Sequence, residues 1–358
     1  MSTTPLRLGD LFAQLTQYNL APRRSDQPLP PDLSGANDAE SSPWYIKALV
    51  GIAAWIAAIF LGIFFGAAGL IESMESMLIW GAVLTVVAIV LKRLVRNSIF
   101  WGQLAFAVIL AGQGLLIGGF AWWSENATPT ALFVVGLEVV VFALYPDALH
   151  RMVSILAITG ALAFVLYDQE MPELIHGLTL LLAAGAVTVW QQEFRLLTSR
   201  WFPFRAPLGY GLVLSLFGVC LLSLLGEYGV TYWWVSAVVL ALVLLYLAFT
   251  LLQELGRPLL SPVGLWAVGA VVLFFLPAYQ TPGILAAVIA LLLGYWRANT
   301  LLTGLATLFL LFFLSAYYYN LDITLLNKSY ILMGTGAVLL VVRFLFHRVV
   351  GEQHGNVE

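Results

Sequence analysis

Long apolar runs, separated by short polar breaks, occupy most of the chain after Pro43. A helix that crosses a membrane needs about 20 mostly apolar residues, and the runs have roughly that length. We predict twelve such helices, at about 44–71, 77–95, 98–122, 129–145, 149–167, 173–191, 205–225, 232–252, 259–279, 281–296, 299–318 and 328–346. Pro277 and Pro282 separate the ninth helix from the tenth, because proline interrupts helices.

The composition agrees with this pattern. The sequence of 358 residues is 61% hydrophobic and 10% charged, whereas soluble domains are roughly 45–50% apolar and about 25% charged. We therefore assign the all-α fold class, as a polytopic integral membrane protein with about twelve transmembrane helices. The partner that this composition implies is the lipid bilayer. The net charge of −3 gives no indication of a nucleic-acid partner.

Positive charge is distributed unevenly between the two predicted ends of the helices. Of the 16 Lys and Arg residues, only Lys328 falls outside the tails and the loops that follow even-numbered helices. Because Lys and Arg mark the cytoplasmic side, we predict that both termini are cytoplasmic. We name this end of the bundle the basic face and the opposite end the acidic face. The acidic face carries Glu72, Glu75, Glu125, Asp168, Glu170, Glu173, Glu227 and Asp322.

The chain divides into four predicted segments. Residues 1–20 have apolar residues at helical spacing and predict a cytoplasmic amphipathic segment. Residues 21–43 are rich in Pro, Asp, Ser and Gly, which is typical of a flexible linker. Residues 44–349 form one transmembrane domain, and 350–358 form a cytoplasmic tail. Aromatic residues 22 apart in the fourth and fifth and in the tenth and eleventh helices weakly suggest a six-plus-six repeat.

Glycine spacing suggests where helices approach each other. Gly62 and Gly66 in the first helix, and Gly114 and Gly118 in the third, form G-x-x-x-G pairs. Such pairs allow close backbone contact between membrane helices. We predict that they pack within this chain.

Glu138 is the strongest single candidate for chemistry. It lies in the middle of the apolar run A-L-F-V-V-G-L-E-V-V-V-F-A-L-Y, where a carboxylate is costly and should face the bundle interior or a wet cavity. Gln113, on the third helix at a similar depth, is its predicted hydrogen-bonding partner. Two interpretations stay open: a proton- or cation-coupling site or ligand anchor, and a protonated structural glutamate bonded to a neighbouring helix.

Other reactive residues do not form a recognisable motif. His150 adjoins Arg151 at the basic rim, His176 begins the sixth helix, and the single cysteine Cys220 excludes an intrachain disulfide. The sequence contains no metalloprotease, hydrolase or nucleotide-binding signature. We therefore expect no catalytic residues, metal or cofactor. Aromatic residues at helix ends, such as Tyr145, are predicted to lie at the membrane interface.

The stretch from 315 to 330, S-A-Y-Y-Y-N-L-D-I-T-L-L-N-K-S-Y, is the longest polar and aromatic break between apolar runs. We predict an ordered hairpin on the acidic face between the last two helices. Lys328, as the lone cation there, is expected to pair with Asp322, the carboxylate nearest in sequence. Tyr317, Tyr318 and Tyr319 are expected at the membrane interface, either as an anchor for the twelfth helix or as a docking site for a partner.

This stretch also carries a family resemblance. Its tyrosine run, Thr324-Leu325-Leu326 and Lys328-Ser329, followed by a glycine-containing last helix, resemble the C-terminal signature of the domain-of-unknown-function 4401 family of bacterial membrane proteins. The preceding P-G-I-L-A-A and L-L-L-G-Y-W-R-A-N-T are similar to that family as well. The resemblance implies a multi-span inner-membrane protein, often encoded near a protein with a G-D-Y-x-x-L-x-Y motif, and hence a multi-subunit assembly. It supplies no catalytic residues.

Two classes of function follow from the sequence. The first is a non-catalytic membrane subunit of a bacterial envelope complex, which would dock a partner at the acidic rim. The second is a secondary transporter or lipid-linked carrier with Glu138 as its coupling residue. Fold-level likeness to transporters is weak support for the second class.

Overall fold

The computed structural model describes residues 44–95, 99–192, 202–225, 228–258 and 261–320, together with Ser329, Met333 and Leu340. This part of the chain forms eleven α-helices and contains no strand. They are α1 (Trp44–Ala67), α2 (Met74–Leu94), α3 (Ile99–Ser124), α4 (Ala127–Leu144), α5 (Ala148–Asp168), α6 (Ile175–Gln191), α7 (Phe202–Leu225), α8 (Trp233–Glu254), α9 (Pro262–Ala278), α10 (Gly283–Trp296) and α11 (Thr300–Asn320). A 3₁₀ turn, Pro172–Leu174, leads into α6.

The predicted all-α membrane fold is confirmed. Eight helices are long and apolar enough to cross a membrane: α2 to α8, with the 3₁₀ turn included in the sixth, and α11. The separation of the ninth and tenth helices is also correct, since α9 ends and α10 begins on either side of residues 279–282. The segments 1–43 and 350–358 and almost all of the twelfth predicted helix lie outside the described residues, so the count of twelve stays a prediction.

Contacts at the helix ends show that neighbouring helices alternate in direction. At one end, Lys92 Nζ lies 2.6 Å from Asp147 Oδ2, which joins the end of α2 to the turn before α5. At the same end of the bundle, Trp296 Nε1 donates to Glu254 Oε2 over 3.0 Å. This hydrogen bond joins the C-terminal ends of α8 and α10. This end of the bundle contains the predicted basic face.

The opposite end joins the complementary set of termini. Gln169 Nε2, just after α5, donates to Thr128 Oγ1 in the first turn of α4 over 2.9 Å. The Thr231 backbone N–H, just before α8, donates to Glu173 Oε1 just before α6 over 2.8 Å. The acidic residues Asp168, Glu170 and Glu173 therefore lie together at this end, as the predicted alternation requires.

Two short helices form a hairpin that starts and ends at the basic face. α9 has 17 residues and α10 has 14, which correspond to about 25 and 21 Å of helix. Gly283, at the start of α10, lies against the Phe313 ring of α11, and α11 continues for seven more residues, or about 10 Å. The turn between α9 and α10 therefore lies below the acidic end of α11.

The larger apolar core surrounds α10. Leu285, Ile289 and Leu293 of this helix are completely or almost completely buried. They belong to a cluster that includes Phe217 of α7 and Leu240 of α8, and Phe217 stacks on Phe309 of α11 at a centroid distance of 4.3 Å. A short helix can thus be held at the centre because neighbours cover most of its length, although Tyr295 in its last turn is exposed.

Close backbone contact joins α2 and α3, and of the predicted G-x-x-x-G pairs only Gly118 faces this interface, where a Cβ would lie 2.9 Å from Met77 Cε. A Cβ atom on Gly81 would lie 2.8 Å from the Leu116 backbone nitrogen, and one on Gly112 would lie 2.8 Å from the Thr85 nitrogen. By contrast, a Cβ on Gly62 or Gly114 would meet no atom of the described residues within 4 Å. Within this part of the chain these two glycines lack the predicted contact, because the interface is determined by which helix face meets the neighbour and not by spacing.

The tyrosines of the predicted hairpin lie in a helix instead. Tyr317, Tyr318 and Tyr319 form the last turn of α11, which continues to Asn320. The predicted eleventh helix ends at Tyr318, so α11 is longer than predicted by two residues and the tyrosines precede the turn of the predicted hairpin. Asp322 and Lys328 lie outside the described residues, so their ion pair stays a prediction.

The glycine contact yields a test of the α2–α3 interface. We expect Gly81→Leu to destabilise the protein by about 1–3 kcal/mol, because the added side chain would overlap the α3 backbone. Gly114→Leu is the matched control, since its side chain would meet open space. Thermal unfolding of both variants in the same detergent measures the difference. An equal loss of stability in both would contradict the proposed contact.

Candidate functional site

A buried hydrogen bond joins the two residues of the predicted intramembrane site. Gln113 Nε2 on α3 donates to Glu138 Oε1 on α4 over 2.9 Å. The two residues are 2% and 5% exposed. The structure therefore brings the predicted pair together inside the bundle, while its functional role stays a prediction.

Two residues of α5 complete this site, which we call the polar cluster: Gln113, Glu138, His150 and Ser154. His150 Nε2 lies 2.9 Å from Gln113 Oε1, and Ser154 Oγ lies 3.2 Å from His150 Nδ1. Both added residues are 0% exposed. The polar cluster thus connects α3, α4 and α5 through side chains alone.

The hydrogen bonds of the polar cluster run in one direction. Ser154 donates to His150 Nδ1, His150 Nε2–H donates to Gln113 Oε1, and the Gln113 amide donates to Glu138. Glu138 Oε2 has no hydrogen-bond partner among the described residues. Glu138 is therefore the terminal acceptor of the chain and has one oxygen left for a proton or a further donor.

The turn between α4 and α5 fixes the position of His150. Asp147 caps α5, since its Oδ1 accepts from the His150 backbone N–H over 3.0 Å, and its other oxygen pairs with Lys92. Burial alone would raise the pKa of Asp147, but the hydrogen bonds from Lys92 and the His150 backbone hold it below its ordinary value. The turn stays charged and ordered at neutral pH, directly beside the polar cluster.

Tyr145 packs against the imidazole from this turn. Its ring centroid lies 5.0 Å from that of His150 in an edge-to-face arrangement, and the residue is 0% exposed. Tyr145 lies at the end of α4, but the turn directs its side chain into the bundle, so it does not face lipid as a residue of an aromatic belt would. The other wall of the imidazole is Phe106 of α3, at 6.1 Å.

Arg151 anchors the same turn to α7. Its Nε donates to the Phe142 carbonyl over 3.1 Å, and its guanidinium lies 4.0 Å from the centroid of the Phe204 ring. A cation over an aromatic face is stabilised by the ring quadrupole. The adjacent His150 and Arg151 therefore project to different neighbours, and only His150 enters the polar cluster.

A second polar group lies at the acidic face. His176 Nδ1 lies 2.7 Å from Ser236 Oγ, and His176 Nε2 lies 2.9 Å from Glu173 Oε2. The order Ser, His and Glu is that of a hydrolase triad. Ser236 is 0% exposed, and Glu173 Oε1 is already bonded to the Thr231 backbone. With its nucleophile enclosed, this group links the start of α6 to α8 instead of presenting a reactive serine.

Metal binding has no candidate ligands in the described part of the chain, where no three His, Cys, Asp or Glu residues cluster. Glu72 and Glu75, on the turn before α2 and in its first turn, are solvent-exposed.

The three tyrosines lie at the acidic end of α11, and Tyr319 is 78% exposed. They belong to a different element from the polar cluster.

Sequence reasoning missed His150 and Ser154. His150 was assigned to the rim because it adjoins Arg151 and the polar turn. A signal was present, since residues four apart lie on the same face of a helix, and the two are the polar members of one face of α5. Spacing could not show that this face meets Gln113, because that contact depends on how α3 packs.

These features define a polytopic α-helical membrane protein with polar contacts buried between its helices. The chain belongs to the family named Domain of unknown function (DUF4401), whose model matches residues 43–349. Comparison with curated proteins gives no match, and comparison with solved structures gives none. The predicted family membership is therefore correct, and it assigns no activity.

The polar cluster predicts different effects for two substitutions of Glu138. Glu138→Gln keeps an oxygen that can accept from Gln113, so we expect a melting temperature near that of the unchanged protein. Glu138→Leu leaves the buried Gln113 amide without its acceptor, which should cost about 1–3 kcal/mol. Val139→Leu, at an exposed position of the same helix, is the control. Equal melting temperatures for Glu138→Leu and Val139→Leu would show that the hydrogen bond contributes nothing.

Proposed function

We propose that this chain is a non-catalytic integral membrane subunit of a bacterial inner-membrane or envelope complex. The observation that carries the proposal is the enclosure of the polar cluster, whose four members are at most 5% exposed. A substrate or ion must reach a coupling residue, whereas a structural hydrogen bond works best when sealed from water. In this proposal Glu138 holds α3, α4 and α5 in one arrangement.

The open spaces of the molecule support the same conclusion. The cavities between α5 and α7, between α4 and α5, and among α8, α9 and α10 are lined by residues outside the polar cluster. Ser236 and His176 are buried as well. Because the polar cluster and the hydrogen bond between His176 and Ser236 hold helices together, we look to the surfaces of the bundle for contacts with a partner.

The acidic rim at the end of α11 is the surface that we propose for docking. Tyr318 and Tyr319 contact each other at a centroid distance of 5.6 Å, and Tyr319 is largely exposed. Aromatic residues with a polar tip are favoured at protein interfaces. A protein carrying the G-D-Y-x-x-L-x-Y motif is the proposed partner. Both termini are proposed to be cytoplasmic, with this rim on the opposite side.

Site-specific photocrosslinking tests the docking proposal. We expect a benzophenone amino acid at Tyr319 to give a discrete crosslink to another protein in native membranes, because the rim contacts a partner. The same amino acid at Leu308, which is 65% exposed earlier in α11, should contact lipid and serve as the matched control. Mass spectrometry identifies the crosslinked chain. Recovery of only the uncrosslinked chain from both positions would overturn the proposal.

One observation favours a second function, that of a proton-coupled transporter. Glu138 Oε2 lacks a hydrogen-bond partner among the described residues, and an intramembrane carboxyl can bind and release a proton. Access to Glu138 would then require a rearrangement of α3, α4 and α5. The cavities next to these helices are lined by residues outside the polar cluster, so we rank this function second.

Proton flux into vesicles distinguishes the two functions. If the chain transports protons, purified protein in liposomes with an internal pH dye should acidify them faster than empty vesicles do. Glu138→Gln should abolish this flux without unfolding the protein, and Val139→Leu should preserve it. Two results would each exclude the transporter. One is a flux that is equal in Glu138→Gln and in the unchanged protein, and the other is a flux no greater than that of empty vesicles.

A further inference from the structure

A trough between α5 and α7 has the features of a ligand site. Its volume is about 630 Å³, within the range of roughly 300–1,000 Å³ that small-molecule sites occupy. Its walls are mainly apolar side chains of the two helices, and Thr159 and Ser215 are among the few polar members.

The trough runs along the helices in one half of the membrane. Its lining extends over residues 156–167 of α5 and 215–225 of α7, up to the acidic ends of both helices. At 1.5 Å per residue these stretches measure about 15–17 Å, which is close to half of the roughly 30 Å hydrocarbon core. An occupant would therefore lie parallel to the lipid chains of the acidic-face leaflet.

Two glycines keep the trough open. A Cβ atom on Gly160 of α5 or on Gly218 of α7 would have no neighbour within 4 Å in the described part of the chain. Elsewhere in α7, Gly209 and Gly211 are in tight contact with Trp190 and Ile155. Helix packing therefore accounts for the second pair of glycines, whereas the first pair borders free space.

A buried hydroxyl marks the deep end of the trough. Ser215 is 1% exposed, and its Oγ has no hydrogen-bond partner among the described residues. Thr159 lies on the opposite wall. The two residues precede the acidic ends of their helices by ten and nine positions, so both lie about 14–15 Å deep. A buried hydroxyl without a partner is costly in hydrocarbon, and a ligand oxygen would remove that cost.

The mouth of the trough carries tyrosines at the level expected for the membrane surface. Tyr228 donates its hydroxyl hydrogen bond to the Ala163 carbonyl, and its ring lies 5.6 Å from that of Tyr167. Burial raises the pKa of Tyr228 to about 12, so its hydroxyl stays neutral. Tyrosines at this position are typical of the boundary between hydrocarbon and headgroups.

We propose that this trough binds an isoprenoid quinone, with a ring carbonyl that accepts a hydrogen bond from Ser215. A phospholipid carries its oxygen atoms near the headgroups and has only methylene groups at the depth of Ser215. A quinone combines two carbonyl acceptors with an otherwise apolar body and can be accommodated at the centre of a bilayer. The apolar walls contact the rest of the molecule, and the Thr159 hydroxyl lies across the trough from Ser215.

Binding of decylubiquinone to the full-length protein in phospholipid nanodiscs tests the proposal. We expect saturable binding near one molecule per chain. Gly218→Leu should abolish it, because the new side chain fills the trough. Gly304→Leu is the matched control, since Gly304 also borders open space but lies on α11, outside the trough. Ser215→Ala should weaken binding by about five- to tenfold, as expected for one lost hydrogen bond.

Gel filtration and thermal unfolding first establish that each variant is folded, and Ser215→Ala provides the test if Gly218→Leu is not. Equal binding by Gly218→Leu and Gly304→Leu would overturn the proposal. An affinity of Ser215→Ala within twofold of the unchanged protein would also overturn it. So would binding that does not saturate, because this is ordinary partitioning of the quinone into the nanodisc lipid.

Discussion

The need to satisfy polar groups inside an apolar medium determines the arrangement of α3, α4 and α5. A membrane interior offers no water to bond an exposed amide or carboxyl, so Glu138 requires a donor from another helix. Gln113 supplies it, and the second end of the Gln113 amide then requires a donor of its own, which is His150. Each of these residues requires a hydrogen-bond partner, and the next residue supplies it. The three helices are thereby fixed in register.

The turn before α5 links this interior constraint to the surface. Lys92 and Asp147 pair at the basic face, and the same carboxyl caps the helix that carries His150. Arg151 holds the next neighbour, α7, through the Pro203 carbonyl and the Phe204 ring. One short polar segment therefore sets the direction of α5, places the imidazole, and positions the wall of α7 that forms the trough.

Sequence reasoning succeeded where a residue conflicts with its surroundings. Glu138 was identifiable because a carboxylate within an apolar run has few stable solutions, and the depth of Gln113 followed from helix length. The burial of His150 and Tyr145 was not predicted. Both residues lie beside a polar turn, where the sequence pattern of an exposed residue is the same as that of a buried one. The close contact at Gly81 and Gly112 was missed for a related reason, since spacing in one helix does not show which face meets α2 or α3.

The hairpin of α9 and α10 leaves the direction of the later helices unchanged, whether or not its two helices are counted as membrane spans. Its two ends lie at the basic face, because Ser261 follows α8 by a short connection and Trp296 contacts Glu254. Whether or not its turn reaches the acidic surface, the hairpin returns the chain to the face from which it started. In both cases α8 runs toward the basic face and α11 runs away from it. The predicted side of the tyrosines therefore does not depend on how deeply the short helices enter the membrane.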